Sequence, residues 1–139
     1  MCGIGGVISA ALPSAEQLEE FSNCFAKRGP DNFGYDAKDN VAFCHRRLSI
    51  IDLDPRSHQP MWYNDVMITF NGEIYNFQSI KAQLNDYPFQ TNGDTEVVLA
   101  AYAKYGENCL RMLNGMFAFA IWDSQKKEMF IARDRLGIK

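Results

Sequence analysis

Two apolar segments near the C-terminal end of the sequence constrain the fold most. Residues 116–122 read MFAFAIW, residues 128–132 read EMFIA, and the five residues between them are polar. Short apolar runs joined by a polar turn predict a hairpin of two buried antiparallel strands. The fold must therefore contain an antiparallel sheet.

Apolar and glycine-rich runs elsewhere predict further strands. They occupy residues 3–9, 41–44, 48–51 and 66–70. Three helices are also predicted. Ser14 and Gln17 form a capping-box pattern that opens a helix over residues 15–28, a short helix follows Asn76, and a third helix is opened by Asp94 or Asn92 and ended by Gly106. Strands at both ends with helices between them predict an α+β fold in which helices cover antiparallel sheets.

Length and charge narrow the functional classes. The chain has 139 residues, 47% of them apolar, which suits one domain with a hydrophobic core, and its net charge of -3 forms no basic stripe for nucleic acid. No apolar run approaches the roughly 20 residues that span a bilayer, and the N-terminus has no secretory signal pattern. We expect a cytoplasmic protein with neither a membrane nor nucleic acid as a partner.

The four cysteines stand far apart, at Cys2, Cys24, Cys44 and Cys109. Without a C-x-x-C pair or a histidine cluster, no metal site is predicted. The last three lie among apolar neighbours and are interpreted as core residues.

Cys2 differs because it precedes the small residue Gly3, a context in which removal of Met1 is expected. Its α-amine would then lie beside its own thiol. An α-amine has a reference pKa of about 7.7–8.0, so near neutral pH its neutral form can accept the thiol proton and activate sulfur as a nucleophile. The alternative is that Cys2 is only an early strand residue.

Three further sites carry side chains suited to binding an amino acid. Asn71, Gly72 and Glu73 follow a predicted strand directly and would present an amide, a backbone N–H and a carboxylate at a sheet edge. The planar guanidinium of Arg47 could hold a carboxylate, and Asp94 could bind an ammonium group. A simple turn, a solvated arginine and a helix cap are the alternative interpretations.

Eight segments, in order from the first residue to the last, form the most specific pattern in the chain. They are MCGIGG at 1–6, RGPD at 28–31, HRRLSIIDL at 45–53, HQPM at 58–61, FNGEIYN at 70–76, GDTEV at 93–97, NGMFAFAIWD at 114–123 and ARDRLGIK at 132–139. Together they resemble the class II glutamine amidotransferases. The strongest likeness is to the glutaminase domain of glutamine-hydrolysing asparagine synthetases, here residues 1–139.

The resemblance implies the four-layer αββα sandwich of the N-terminal nucleophile hydrolases. It implies that Cys2 attacks the side-chain amide of L-glutamine and forms a thioester, while Asn71 and Gly72 form the oxyanion hole. Arg47 would hold the α-carboxylate, and Glu73 and Asp94 the α-ammonium. His45, Arg28 and Asp31 are assigned to supporting structure.

In the family, ammonia passes through a channel to a synthetase domain that uses ATP and magnesium to activate aspartate. No S-G-G-x-D-S loop for that chemistry occurs here, and this domain itself is expected to need no cofactor. The segment RDRLGIK ends without a cap, which favours a piece cut from a longer chain whose synthetase domain is the partner. A homodimer is left open.

Three competing hypotheses remain at this stage. The acceptor could differ, as in glucosamine-phosphate synthases, amidophosphoribosyltransferases and amidotransferases of surface-sugar pathways. The chain could be a non-catalytic scaffold of the same fold, or a redox-active or metal-binding cysteine protein, which the cysteine spacing disfavours.

Overall fold

The computed structural model describes residues 2–139, in which seven strands, three α-helices and three 3₁₀ helices occur. The strands are β1 (Gly3–Ile8), β2 (Asn32–Lys38), β3 (Val41–Arg47), β4 (Met61–Tyr63), β5 (Val66–Ile74), β6 (Gly115–Asp123) and β7 (Glu128–Arg133). The α-helices are α1 (Ala15–Ser22), α2 (Phe77–Lys81) and α3 (Asp94–Tyr105), and the 3₁₀ helices are Asn23–Arg28, Pro55–Ser57 and Gly106–Arg111.

All strand pairs are antiparallel, and they form two sheets. The first sheet has the order β1-β3-β2 and the second β4-β5-β6-β7. The predicted C-terminal hairpin is confirmed as β6 and β7, which pair from Asp123 with Glu128 to Ala118 with Arg133.

Three apolar clusters show that these elements stack in four layers. The first cluster packs α2 and α3 against the second sheet, the second lies between the sheets, and the third packs α1 against the first sheet. Alternation along a strand explains how one strand serves two layers: Ala42 and Cys44 of β3 face α1, whereas Val41 and Phe43 contact Met67 of β5. The predicted αββα sandwich is confirmed.

The first predicted helix is only half α-helical. Its capping box forms as expected, with Gln17 N–H donating to Ser14 Oγ and Ser14 N–H to Gln17 Oε1. The α-helix ends at Ser22, and 3₁₀ structure continues to Arg28. This segment is kinked at Phe25, whose φ of -124° and ψ of 16° are not helical. The extent predicted for the α-helix was therefore too long.

The strand predicted over residues 48–51 was wrong. This segment is a loop after β3 in which Leu48 contacts the Cys2 thiol and Ser49 N–H donates to the Asp31 carboxylate at 2.7 Å. Its apolar side chains are not core residues, since Ile50 is 68% exposed. The apolar pattern there reflects a surface loop and not a strand.

Two strands were missed, and two were predicted too short. Strand β3 was predicted to end at Cys44 but runs on to Arg47. The missed strands are β2, whose side chains are only partly buried or exposed, and the three-residue β4. Strand β5 runs on to Ile74, so Asn71 and Gly72 lie within a strand and not in a turn after it.

Within residues 2–139, no helix has the length and apolar character needed to cross a membrane.

Candidate active site

One pocket is lined by all six residues that the sequence predicts as catalytic or substrate-binding residues. It lies where the start of β1, the end of β3, the second half of β5 and the first turn of α3 meet. The six residues are Cys2, Arg47, Asn71, Gly72, Glu73 and Asp94. Four segments separated by 20 or more residues along the chain thus converge on one concave surface.

Cys2 lies directly before β1, and two contacts fix its position. Its Sγ lies 3.4 Å from the Leu48 nitrogen and 3.7 Å from the Leu48 oxygen. Arg28 Nε donates to the Cys2 carbonyl at 3.1 Å, and Asp31 orients the same loop through Ser49. The supporting role expected for Arg28 and Asp31 therefore has a structural basis. Met1 lies outside the described residues, and its removal stays a prediction.

Neither histidine hydrogen-bonds to Cys2 in the described part of the chain. His45 is fully buried and contacts the Phe70 carbonyl oxygen through Nε2 at 3.2 Å. Burial lowers the pKa of His45 to about 4, so the ring is neutral at pH 7 and donates through Nε2 to this carbonyl. His45 links β3 to β5 and is not placed to deprotonate the thiol.

The backbone of β5 leaves the Gly72 N–H on an open edge of the sheet. Strand β4 pairs with β5 only as far as Ile68. Beyond it, the N–H groups of Phe70 and Ile74 donate to Gln59 Oε1 and Asp94 Oδ2, away from β6. Because backbone directions alternate along a strand, the N–H of Gly72 points the same way. No acceptor for this N–H lies among residues 2–139, and Gly72 lines the pocket wall.

Gly72 is required by the close approach of the neighbouring strand. A Cβ built there would meet Met116 O and lie 2.7 Å from Phe117 Cα, so the backbone of β6 would have to move. Asp134 fixes Phe117 from the other side: its N–H donates to Phe117 O at 2.7 Å, and its Oδ2 accepts from Phe117 N–H at 3.2 Å. The free N–H thus belongs to a tightly held backbone.

Asn71 is 8% exposed. Its side-chain amide forms no hydrogen bond within residues 2–139, and the Oδ1 atom is buried without a partner. A buried polar group without a partner costs stability, typically about 1–3 kcal/mol. The Asn71 Nδ2 group, a donor without a partner in the described chain, together with the Gly72 N–H could bind a substrate oxygen.

Arg47 is the last residue of β3 and is 6% exposed. Its Nη1 donates to the Asp54 carbonyl at 3.3 Å, and its Nη2 donates to the Asp52 carbonyl. The loop therefore holds the guanidinium in place. No carboxylate of the described residues forms a salt bridge with Arg47, so its charge is available to a bound anion.

Asp94 and Glu73 supply negative charge on the other part of the wall. The helix begins at Asp94 with Gly93 as its N-cap, so the Asp94 carboxylate is not the cap and instead accepts from Ile74 N–H at 2.9 Å. Burial raises the pKa of Asp94 to about 6, against the opposing effect of backbone hydrogen bonds. Glu73 is exposed. A cation in the pocket would stabilise the charged form of Asp94.

Two pocket residues were missed as contributors. Asp52 Oδ2 accepts from Ser57 Oγ at 2.9 Å and from Asn92 N–H at 2.7 Å, which joins the loop after β3 to the segment before α3. Gln59 links β5 to α3, because it accepts from Phe70 N–H and donates to Thr95 Oγ1. Both lie in motifs noted in the sequence, but their partners are remote in the chain and could not be inferred from spacing.

Comparison with known proteins agrees with this geometry. A family model described as a glutamine amidotransferase domain matches residues 1–139. The chain belongs to this family.

Relatives of this glutamine amidotransferase domain carry additional sequence. Asparagine synthetase [glutamine-hydrolyzing] 2 of Bacillus subtilis is 38% identical over 146 residues, which cover 100% of this chain and 19% of that protein. Asparagine synthetase B [glutamine-hydrolyzing] of Escherichia coli is 42% identical over 144 residues, covering 99% of this chain and 26% of that protein. The chain thus spans about a fifth to a quarter of the length of these relatives.

A solved structure supports the fold. Glutamine phosphoribosylpyrophosphate amidotransferase from B. subtilis, in complex with ADP and GMP, superposes with a TM-score of 0.61 and 29% identity over 74% of this chain and 25% of that one. The two antiparallel sheets are consistent with the N-terminal nucleophile hydrolase fold. Among residues 2–139, no group of three or more histidine, cysteine or acidic side chains is arranged to hold a metal ion.

Proposed function

We propose that this domain hydrolyses L-glutamine to glutamate and ammonia, with Cys2 as nucleophile. The convergence of Cys2, Arg47, Asp94 and the unpaired groups of Asn71 and Gly72 on one pocket carries the proposal. An α-amino acid with a side-chain amide matches this set, because it offers one anion, one cation and one reactive carbonyl. Release of equal amounts of glutamate and ammonia by the purified protein tests the proposal.

The proposed reaction uses groups of this chain alone. After loss of Met1, the α-amine of Cys2 accepts the thiol proton, and Sγ attacks the amide carbon of glutamine. Negative charge develops on the amide oxygen, where Gly72 N–H and the Asn71 amide stabilise it. The C–N bond breaks as the amine returns its proton to the leaving nitrogen, and water then hydrolyses the thioester to glutamate and free thiol.

Substrate orientation is assigned to the charged groups of the pocket. Arg47 binds the α-carboxylate, and Asp94 with Glu73 binds the α-ammonium. Opposite charges placed at the two ends of the amino acid would fix the side-chain amide toward Cys2. This arrangement accounts for a buried arginine without a carboxylate partner in the described chain.

We expect Arg47→Ala to raise KM for glutamine by about 10- to 150-fold, because a charge-assisted hydrogen bond contributes about 1.5–3 kcal/mol. Steady-state kinetics measures this change. Arg56→Ala is the matched control, since Arg56 lies in the same loop but is exposed and pairs with Asp54. An unchanged KM in Arg47→Ala would remove Arg47 from the binding site.

Glutamine binding should weaken below about pH 6. The charged form of Asp94 is needed to hold the ammonium group, and the pKa of Asp94 in the free protein is about 6. In a Cys2→Ala protein, which cannot turn substrate over, calorimetry should show Kd rising about tenfold for each pH unit below that pKa. Adding Asp94→Asn should give weak binding with no such slope. A flat Kd with Asp94 intact would contradict the assignment.

The acceptor of ammonia is proposed to be a synthetase domain that uses ATP and magnesium to make asparagine from aspartate. The asparagine synthetase relatives support this acceptor. The phosphoribosylpyrophosphate amidotransferase supports the alternative that the acceptor differs. Isotope transfer from amide-labelled glutamine to asparagine in the presence of aspartate and ATP distinguishes the two acceptors.

We also propose a cytoplasmic location, which the four free thiols support. A homodimer stays a prediction.

A further inference from the structure

On the pocket side of β5, beyond Ile68, backbone N–H groups pair with side chains and not with a neighbouring strand. Its N–H groups at Phe70, Gly72 and Ile74 face the same way, and the first and last of these donate to Gln59 Oε1 at 2.6 Å and Asp94 Oδ2 at 2.9 Å. Only the middle one, that of Gly72, is left without a side-chain acceptor in the described chain. The flanking acceptors therefore define which backbone donor stays open.

Gln59 uses both ends of its amide in this position. It is 6% exposed, and while Oε1 accepts from Phe70, Nε2 donates to Thr95 Oγ1 at 3.1 Å. Thr95 belongs to the first turn of α3, beside Asp94. One side chain thus ties the strand that carries Asn71 and Gly72 to the helix that carries Asp94.

The same peptide segment is held on its carbonyl side. Phe70 O accepts from His45 Nε2 at 3.2 Å, and His45 lies two residues before Arg47 in β3. Both backbone groups of Phe70 are therefore fixed by buried side chains from outside the sheet. Because Phe70 directly precedes Asn71, a shift at Phe70 would displace the two groups assigned to the oxyanion.

We infer that Gln59 is a positioning residue for the proposed glutaminase reaction. It holds Phe70 against α3, and so keeps the Asn71 amide and the Gly72 N–H at the distance a developing oxyanion requires, about 2.7–3.1 Å. The inference rests on the proposed function. It predicts an effect on the transition state, since both ends of the Gln59 amide are already hydrogen-bonded to protein groups.

The test is a kinetic comparison of Gln59→Met with the wild-type protein. Methionine keeps the length of the side chain but removes the acceptor for Phe70 N–H. Misplacement of catalytic groups by about 1 Å can cost about 10²-fold, so kcat should fall by about 10- to 100-fold while KM for glutamine changes by less than about threefold. Gln83→Met is the matched control, because Gln83 is exposed on the surface and should retain wild-type kinetics.

Gln59→Glu separates positioning from packing. A carboxylate keeps an acceptor for Phe70 N–H, and the Thr95 hydroxyl can rotate to donate to it. We expect Gln59→Glu to have most of the wild-type kcat. If Gln59 only packed against its neighbours, Gln59→Met would instead have the higher kcat of the two variants.

If Gln59→Met fails to fold, Thr95→Val replaces it as the test. The expected loss in kcat is about 3- to 10-fold at unchanged KM.

An unchanged kcat in folded Gln59→Met, or in Thr95→Val where that variant replaces it, would overturn the inference. A loss confined to KM would also overturn it, since Gln59 would then contact substrate. Either result leaves the proposed function standing if the wild-type protein hydrolyses glutamine. Absence of glutaminase activity in the wild-type protein would sink the proposed function and the inference together.

Discussion

Replacing Cys2 with alanine should lower glutaminase activity by about 10⁴-fold or more, because the variant has no atom that can form the thioester. Glutamine should still bind, since Arg47 and Asp94 are unchanged. Product release measured over hours, together with Kd from calorimetry, separates the loss of chemistry from a loss of binding. The effect should be confined to turnover.

Cys24 provides the matched control for the nucleophile. The sequence-based interpretation of Cys24 as a core residue was wrong, because it is an exposed free thiol on the 3₁₀ helix after α1. It lies outside the pocket, so Cys24→Ala should retain wild-type kinetics. The buried thiols Cys44 and Cys109 are less suitable, because truncation in a core also changes stability. Substantial hydrolysis by Cys2→Ala would show that another group, or water alone, attacks the amide.

Asn71→Ala should lower kcat by about 10²–10³-fold, the usual cost of removing one oxyanion-hole donor, with a smaller change in KM. The thermal stability of the Asn71→Ala protein should not fall together with its activity. The Asn71 amide has no partner within residues 2–139, so its removal also removes an unsatisfied buried group. Thermal unfolding measured beside the kinetics tests both expectations.

Asn114→Ala is the control for this substitution, since Asn114 is exposed and its side chain makes no contact with the pocket. A rise in KM with kcat unchanged in Asn71→Ala would assign Asn71 to substrate binding. A large loss of stability would show that the amide has a structural partner and is not reserved for the oxyanion.

Local sequence predicted the elements whose pattern reflects burial. The capping box located the start of α1, and the apolar runs located β1, β5 and the β6–β7 hairpin. The same reasoning failed at residues 48–51, because apolar side chains such as Ile50 lie on an exposed loop. It also missed β2, whose partly exposed side chains give little alternation.

The sequence predicted which residues line the site, because its motifs specify residue types. Asn71 and Gly72 were selected because they follow an apolar strand pattern and belong to the segment FNGEIYN. Their open backbone edge could not be predicted, because it depends on where β4 stops pairing with β5, at Ile68. The link from Gln59 to Thr95 spans 36 residues, and that from Asp52 to Asn92 spans 40. Contacts of this range follow from the packing of the two sheets and α3, which spacing along the sequence does not reveal.

The central claim is that Cys2, with a free α-amine, is the nucleophile of a glutamine-binding pocket. Intact mass measurement before and after incubation with a glutamine-like diazoketone tests it most directly, with peptide mapping of any adduct. We predict loss of Met1 and a single adduct on Cys2, with none on Cys24 although that thiol is exposed. Retention of Met1, or a trimmed chain that forms no adduct on Cys2, would contradict the account and favour a non-catalytic scaffold.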